Sequence, residues 1–444
     1  MKLEDLAKNP ELISIDSRVI KRGGIFIAIK GARFDGHDFV KEVFKKGASY
    51  AVVSKEMALA ASDRKRIIKV KDTVWALGEI AKFHRQRFNI PVVAVTGSNG
   101  KTTVKNMVAF VLSAGYNVLK NEASRNNLIG LPLTLLGLRK KHRVAVLEMG
   151  MNRLGEIDRL SGIALPRIGV ITNIGPSHLE FLGTLTNVLK AKSELLKRLS
   201  GSATAILNAD DAYLGKIRGL KCRTVYFGIE KKCEFQAKDL QYKNNKWYFS
   251  LGKGKNFEIP ILGRHNVYNA LIAIAVGRQF GLSFSTIAKR IRQYRQPSSM
   301  RLEAESVLGV KILNDTYNSN PISMECAIAA LARYETRGKR IVLCGDMMEL
   351  GEHAQAWHEA VGRLIAKHPI DALVTLGKFS KFTSDAAKKM GIEILCHAES
   401  GREAEKFLKK ITKPGDVVLV KGSRAMKMEK VIERLRKKQP KKGT

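Results

Sequence analysis

Three textures of apolar and polar residues follow one another along the chain. Up to about residue 87, short apolar runs such as "GGIFIAIKG" and "ASYAVVS" predict strands, and "HDFVKEVFKKG" has helical spacing closed by Gly47. From "IPVVAVTG" onward, the runs "RVAVLEMG", "RIGVITNIG" and "ATAILNAD" alternate with amphipathic helical stretches. Strands without a polar face, each followed by a helix, imply a parallel sheet covered by helices on both sides. Between about 222 and 262 the texture becomes "RTVYFG", "CEFQAKDLQYKNNKWYFSL" and "NFEIPILG", which predicts an antiparallel meander turning at Asn244-Asn245. A last unit begins near "QPSSMRLE". Its strands "VKILNDT", "RIVLCGD", "DALVTLG", "IEILCH" and "DVVLVKG" are spaced by helices in a doubly wound pattern. The expectation is an α/β protein of three units, residues 1–87, 88–297 and 298–444.

Length and composition agree with that division. A chain of 444 residues that is 45% hydrophobic can fill two or three cores. No uninterrupted apolar run is long enough for a membrane span, and "MKLEDLAKNPELISIDSR" lacks the apolar centre of a signal peptide, so a cytoplasmic protein is expected. The five cysteines form no CxxC pair, which favours free buried thiols over disulfides or zinc. The formal charge of +37 is unusual. Its lysines and arginines are spread along the chain, without an aromatic stacking platform or a known nucleic-acid motif. A basic, solvated surface that favours anionic ligands is expected, with no specific nucleic-acid partner.

The densest chemistry lies in "VAVTGSNGKTT", residues 93–103. An apolar strand, a glycine turn and Lys-Thr-Thr opening a helix read as a phosphate-binding loop. The common P-loop has a glycine five residues before its last one, and here Val95 holds that place. Gly97 and Gly100 let the backbone approach a ligand, flanking Ser98 and Asn99. The helix "KTTVKNMVAFVLSAG", expected to end at Gly115, points its N-terminal amides at the loop. Lys101 is then placed to reach outer phosphates, Thr102 to offer a hydroxyl to Mg²⁺, and Thr103 continues the motif. Glu148 closes "RVAVLEMG" and His178 follows "RIGVITNIGPS". If those strands flank the first, both groups project from the sheet edge where open α/β folds bind ligands, which is suited to a divalent metal. Lys192, in "NVLKAKSELL", reads from its context alone as a surface lysine.

Taken together, these segments resemble the Mur ligase superfamily. "TGSNGKTT" is similar to that family's loop, which lacks the opening glycine. "EMGMNRLGEI", "TNIGPSHLEFLG", "KAKSELL" and "GRHNVYNA" resemble its later blocks. "DSRVIKRGGIFIAIKGARFDGHDF" resembles a uridine-nucleotide-binding domain. Four more stretches, "NNLIGLPLTLLGL", "LNDTYNSNPISM", "LCGDMMELGEHA" and "VLVKGSRAMKME", resemble the branch that joins D-alanyl-D-alanine to UDP-N-acetylmuramoyl-tripeptide with ATP. A sister branch that adds the third amino acid commonly shows an Asp-Asn-Pro-type motif, absent here. Folylpolyglutamate synthase shares the ATP site but lacks the uridine-nucleotide domain. A basic nucleic-acid-binding P-loop protein is the rival from another class.

The resemblance implies a three-domain fold: a substrate-binding N-terminal domain, a central parallel-sheet ATPase domain with an antiparallel flank, and a Rossmann-like C-terminal domain. It implies that Lys101 holds the β- and γ-phosphates and that Thr102 and Glu148 ligate one Mg²⁺. His178 and a carbamylated Lys192 would hold a second Mg²⁺. Asn266 and Asn269 would meet adenine, Asp315 the ribose and Arg301 the phosphates. Ser17 and Arg18 would face the uridine nucleotide, and Asn127, Tyr317 and Asn320 the peptide and dipeptide. Residues 263–301 are expected to act as a hinge, and the protein to be a monomer. One departure from the family pattern stands before "NNLIG", where Ala123-Ser124-Arg125 replaces a Gly-Asn pair and an apolar residue.

Overall fold

The computed structural model describes residues 2–122, 125–297 and 300–436. Its N-terminal sheet pairs Ile13–Ser14, Ile25–Ile27, Tyr50–Val53 and Ile67–Lys69 in that order, each strand parallel to the next. Asp72 caps the following helix, Thr73–Gln86, by accepting from the backbone N–H groups of Val74 and Trp75. The buried face of that helix, Ala76, Leu77, Ile80 and Ala81, shares one apolar cluster with Leu131, Leu135, Ile157 and Leu160 of the central unit. The N-terminal unit is therefore fastened to its neighbour by a common core and not by a linker.

Seven strands make the central sheet, in the order Phe235–Gln236, Cys222–Gly228, Gly201–Asn208, Ile168–Ile171, Val92–Thr96, Val144–Glu148, Val118–Lys120. All neighbours run parallel. Side chains alternate across a strand, so Val92 and Ala94 enter one apolar cluster while Val93 and Val95 enter the other. That two-sided burial is why this segment reads as an unbroken apolar run. The structure departs from the expected meander in its first strand. "RTVYFG" pairs parallel with Gly201–Asn208, and only Lys238–Lys243, Lys246–Ser250 and Asn256–Ile259 form the antiparallel flank. The polar alternation of Cys222–Gly228 misled because this strand lies next to the sheet edge, where one face is partly wet. Asn244 and Asn245 do turn the hairpin, with φ of +53° and +57°.

The C-terminal sheet runs Glu303–Val307, Val310–Asp315, Val417–Lys421, Arg340–Gly345, Ala372–Leu376, Ile394–Ala398. All pairs are parallel except the first, an antiparallel edge that the sequence reading missed.

Hydrogen bonds tie this domain to the central one at separate places. The backbone N–H of Glu180 donates to the Glu349 carbonyl at 3.2 Å. At the hairpin tip, Asn244 N–H donates to Glu335 Oε1 at 2.9 Å and Glu335 N–H returns to Asn245 Oδ1 at 3.1 Å. All five cysteines are free, but only Cys344 is buried; the other four are half-buried, so the expectation of buried thiols holds for one. Among the described residues no helix is long and apolar enough to cross a membrane.

Candidate active site

The strands ending at Thr96, Glu148 and Ile171 are neighbours, so the loops that leave them share one sheet edge. The glycine loop lies there, and the helix after it, Lys101–Leu112, starts at Gly100 with φ +83°. The helix ends at Leu112 and not at Gly115, because Ser113 and Gly115 close it with local right-handed turns. Gly97 has φ +145°, and a Cβ there would stand 1.9 Å from Thr172 Oγ1. No other residue fits without moving that strand end.

The loop is braced from below. Asn99 N–H donates to Asn173 Oδ1 at 3.0 Å, and Ser98 Oγ bonds the Gly175 carbonyl at 2.9 Å. Lys101 Nζ folds onto the loop's own carbonyls, Gly97 O at 2.8 Å and Ser98 O at 3.2 Å. Burial pushes its pKa down, with Glu148 pulling it back up. Thr102 Oγ1 accepts from Arg301 Nη2 at 3.1 Å, which joins the helix start to the C-terminal domain. Thr103 is buried beside them.

Glu148 is held at every atom but one. Asn121 brackets its backbone, accepting from its N–H at 2.9 Å and donating to its carbonyl at 2.9 Å. Asn126 Nδ2 donates to Oε1 at 2.8 Å. Oε2 is buried and has no hydrogen bond. An unbonded buried carboxylate oxygen is costly unless a cation completes it. His178 sits in the left-handed region, φ +55°, at the start of a one-turn helix. Its Nδ1 lies 2.9 Å from Glu349 Oε2, a close contact without straight hydrogen-bond geometry. That imidazole holds the Glu349 carboxyl below its ordinary range.

Lys192 is not the surface residue its context suggests: it is 2% exposed. Its helix, Leu185–Lys197, is fixed by Glu194, which accepts from Gly155 N–H at 2.7 Å and Asp158 N–H at 3.0 Å. Desolvation, with Lys101 nearby, drives the Lys192 pKa well below the usual amine range.

These groups line a cleft of about 800 Å³ whose far wall is the C-terminal domain. Asn269 Nδ2 donates to Asn266 Oδ1 at 2.7 Å on the helix His265–Gln279. His265 faces the same cleft, and burial lowers its pKa to about 4. Asp315 Oδ2 accepts from the buried Lys421 Nζ at 2.6 Å. The Arg301 guanidinium stacks 4.0 Å over the Tyr317 ring. Asn320 caps the helix Pro321–Arg333 and reaches Asn99. Asn127 also lines the cleft, with Oδ1 committed to Ile129 and Gly130 N–H. Ser17 and Arg18 lie apart from this cleft, in the N-terminal unit, where Arg18 pairs with Asp16 and the Ser17 carbonyl accepts from Lys46. Ala123 and Ser124 fall outside the described residues.

Sequence reasoning missed Lys105, Asn121, Asn126, Glu349 and Lys421. Two of them carried a readable mark. Lys105 follows Lys101 by one helical turn and so shares its face, and Lys421 ends an all-apolar strand; a lysine buried in such a place needs a partner.

A glycine loop at a helix start, an open carboxylate and a buried lysine on one parallel-sheet edge, roofed by a second α/β domain, describe an ATP-dependent ligase of the Mur type. Family comparison agrees: the Mur ligase middle domain matches residues 95–277, the Mur ligase glutamate ligase domain 300–424 and the Mur ligase family catalytic domain 10–85. The chain belongs to the Mur ligase family. Within it, the likeness is to MurF. The UDP-N-acetylmuramoyl-tripeptide–D-alanyl-D-alanine ligase of Bacillus subtilis is 37% identical over 95% of this chain and 92% of its own length. MurF of Acinetobacter baumannii superposes with a TM-score of 0.87 at 32% identity, covering 96% of this chain and 93% of that one. MurF of Thermotoga maritima, solved in complex with ADP, gives 0.84 at 29% identity, with 96% of each chain covered.

Proposed function

We propose that this chain is an ATP-dependent, ADP-forming ligase. It joins D-alanyl-D-alanine to UDP-N-acetylmuramoyl-tripeptide and yields the UDP-muramoyl-pentapeptide precursor of peptidoglycan. The observation that carries the reading is the convergence, inside one cleft, of Lys101, the Glu148 Oε2 that accepts no hydrogen bond and the buried Lys192.

The tripeptide carboxylate attacks the γ-phosphorus of ATP, the bond to the β-γ bridging oxygen breaks, and ADP leaves. The acyl phosphate that results is attacked by the amine of D-alanyl-D-alanine. The C–N bond forms, the amine loses a proton, and phosphate departs with the electrons of the C–O bond. Two anions must meet in the first step, so positive charge has to surround them. Lys101 and the amides at the helix start hold the β- and γ-phosphates, exchanging the carbonyls of Gly97 and Ser98 for phosphate oxygens. Arg301, already on Thr102, adds a second cation from the opposite domain. Asn266 and Asn269 take the adenine and Asp315 the ribose. The domains enclose the acyl phosphate and keep water from it, hinging through residues 263–301.

The residues also fit a pair of Mg²⁺ ions. Among the described residues no three His, Cys, Asp or Glu side chains form a ready metal cage. Open donors are present instead: Thr102 and Glu148 Oε2 for one ion, His178 and Lys192 for the other. Ions held by these residues would supply positive charge to the phosphate oxygens. A lysine serves only as a carbamate, formed when a neutral amine adds to CO₂ and releases a proton. Lys192 suits this: burial favours its neutral form.

The uridine nucleotide is taken by the N-terminal unit through Ser17 and Arg18, and the peptide by Asn127, Tyr317 and Asn320. The same reading assigns residues 1–87 to the UDP-muramoyl peptide, 88–297 to ATP and 298–444 to D-alanyl-D-alanine, in a cytoplasmic monomer. A phosphate-release assay decides it. UDP-muramoyl-tripeptide with D-alanyl-D-alanine should support turnover; faster release with UDP-muramoyl-dipeptide and single amino acids would refute it.

A further inference from the structure

Lys105 has no part in the chemistry above, yet it is among the most buried side chains of the protein. Its side chain is 1% exposed, and Glu148 Oε2 lies 3.8 Å from its Nζ. It stands one turn beyond Lys101 on the same helix, so the two side chains leave the helix from one face. Lys101 turns back to the glycine loop. Lys105 turns instead to the neighbouring strand end, where Nζ donates to the Asn121 carbonyl at 2.6 Å. Asn121 is the residue whose side chain brackets the backbone of Glu148. Lysine, helix, asparagine and glutamate thus form one closed set.

The distances within it matter. At 2.6 Å the hydrogen bond to Asn121 fixes where the ammonium sits, whereas 3.8 Å to Glu148 is too long for a hydrogen bond. Lys105 therefore gives Glu148 a counter-charge without occupying Oε2, which stays unbonded. In a buried site such a tethered charge is felt strongly by a second cation approaching the same oxygen. We infer that Lys105 is a built-in competitor for Glu148: it weakens capture of a divalent cation by the protein alone, so that the cation enters together with the nucleotide. A nucleotide brings enough negative charge to outweigh Lys105; a bare ion does not. The site is then protected from filling with metal in an order that would leave phosphate binding second. Lys105 is a positioning residue, since it touches no reacting atom.

This inference rests on a divalent cation binding at Glu148, and the two can fail separately. Mn²⁺ serves as probe, with free ion followed by electron paramagnetic resonance on the full-length chain, with and without ADP. In the natural chain, affinity without ADP should be at least about tenfold weaker than with it. Lys105→Met removes the charge; Lys105→Gln removes it while keeping a donor for the Asn121 carbonyl. Each should tighten Mn²⁺ binding without ADP by about tenfold or more, and adding Glu148→Gln should abolish the gain. Melting curves establish that the variants are folded. Folded variants with unchanged Mn²⁺ affinity would overturn the inference. If neither variant folds, the natural chain still decides, because equal affinity with and without ADP is incompatible with a competitor. Loss of the metal reading itself would look different: Glu148→Gln alone would leave Mn²⁺ binding with ADP unchanged.

Discussion

Asn320 Nδ2 donates to Asn99 Oδ1 at 2.9 Å, so the cap of a C-terminal helix holds the tip of the phosphate loop. Its Oδ1 at the same time accepts from Ser323 N–H at 2.9 Å. One side chain thus serves stability through its oxygen and domain contact through its nitrogen, and substitution can separate the two. Asn320→Asp keeps the cap and loses the donor: melting should stay close to the natural value while KM for ATP rises. Asn320→Ala should show the same kinetic defect plus a loss of about 1 kcal/mol in stability. Equal kinetics in Asn320→Asp and the natural chain would exclude the contact from nucleotide binding.

Lys101→Ala should abolish phosphate release with the fold retained, since its two hydrogen bonds go only to the loop's own carbonyls. Circular dichroism and the phosphate assay on one preparation check both halves. Near-normal turnover would remove Lys101 from its assigned role.

If Lys192 carries the proposed carbamate, Lys192→Ala should be inactive, and small carboxylates such as formate should restore part of the rate by taking the place the carbamate would fill. Natural-level activity without any additive would rule out the carbamate.

Gly97→Ala should be severely destabilising, by roughly 2–3 kcal/mol or more, because φ of +145° and a contact of 1.9 Å with Thr172 Oγ1 act together. Gly183→Ala, at φ +72° with nothing near its Cβ, bears only the backbone cost and should be milder. Chemical denaturation of both gives the comparison.

Acid should weaken the fold through His265. Its folded pKa, about 4, lies below the ordinary 6.5, so between those values the unfolded chain binds a proton that the folded chain does not. Stability is therefore complete above about pH 6.5 and falls as pH drops towards 4, where the loss levels off. His84 and His358, both lowered by burial, add to the same slope. Melting temperature followed from pH 7.5 to 4.5 should decline, and His265→Asn should flatten the decline. A melting point that rises on acidification would contradict the assignment.

How far the sequence could be read depended on whether chemistry was local. The glycine loop, the strand ending at Glu148 and the turn at Asn244-Asn245 were legible because each is dictated by a few adjacent residues: glycine freedom, two-sided burial, left-handed asparagines. The strand Cys222–Gly228 was misassigned because partial exposure beside a sheet edge gives a parallel strand the alternation of an antiparallel one. Lys192 was unreadable from composition, since only the fold packs its helix against two strands of the central sheet and ties it through Glu194 to the start of another helix. The partners of Glu148 come from residues 105, 121 and 126, and only the folded chain shows that they meet.

The small hairpin at Asn244-Asn245 lines no part of the cleft, yet it grips Glu335 at two points, the side-chain carboxylate and the backbone N–H. With the Asn99–Asn320 and Glu180–Glu349 ties, it gives the C-terminal domain separate moorings on the central one. A rigid body moored at two points still swings about the line between them, and a third mooring off that line stops the swing. If the C-terminal domain swings as proposed, these moorings must release first, and a change at the hairpin tip is expected to alter that swing without touching a single reacting group.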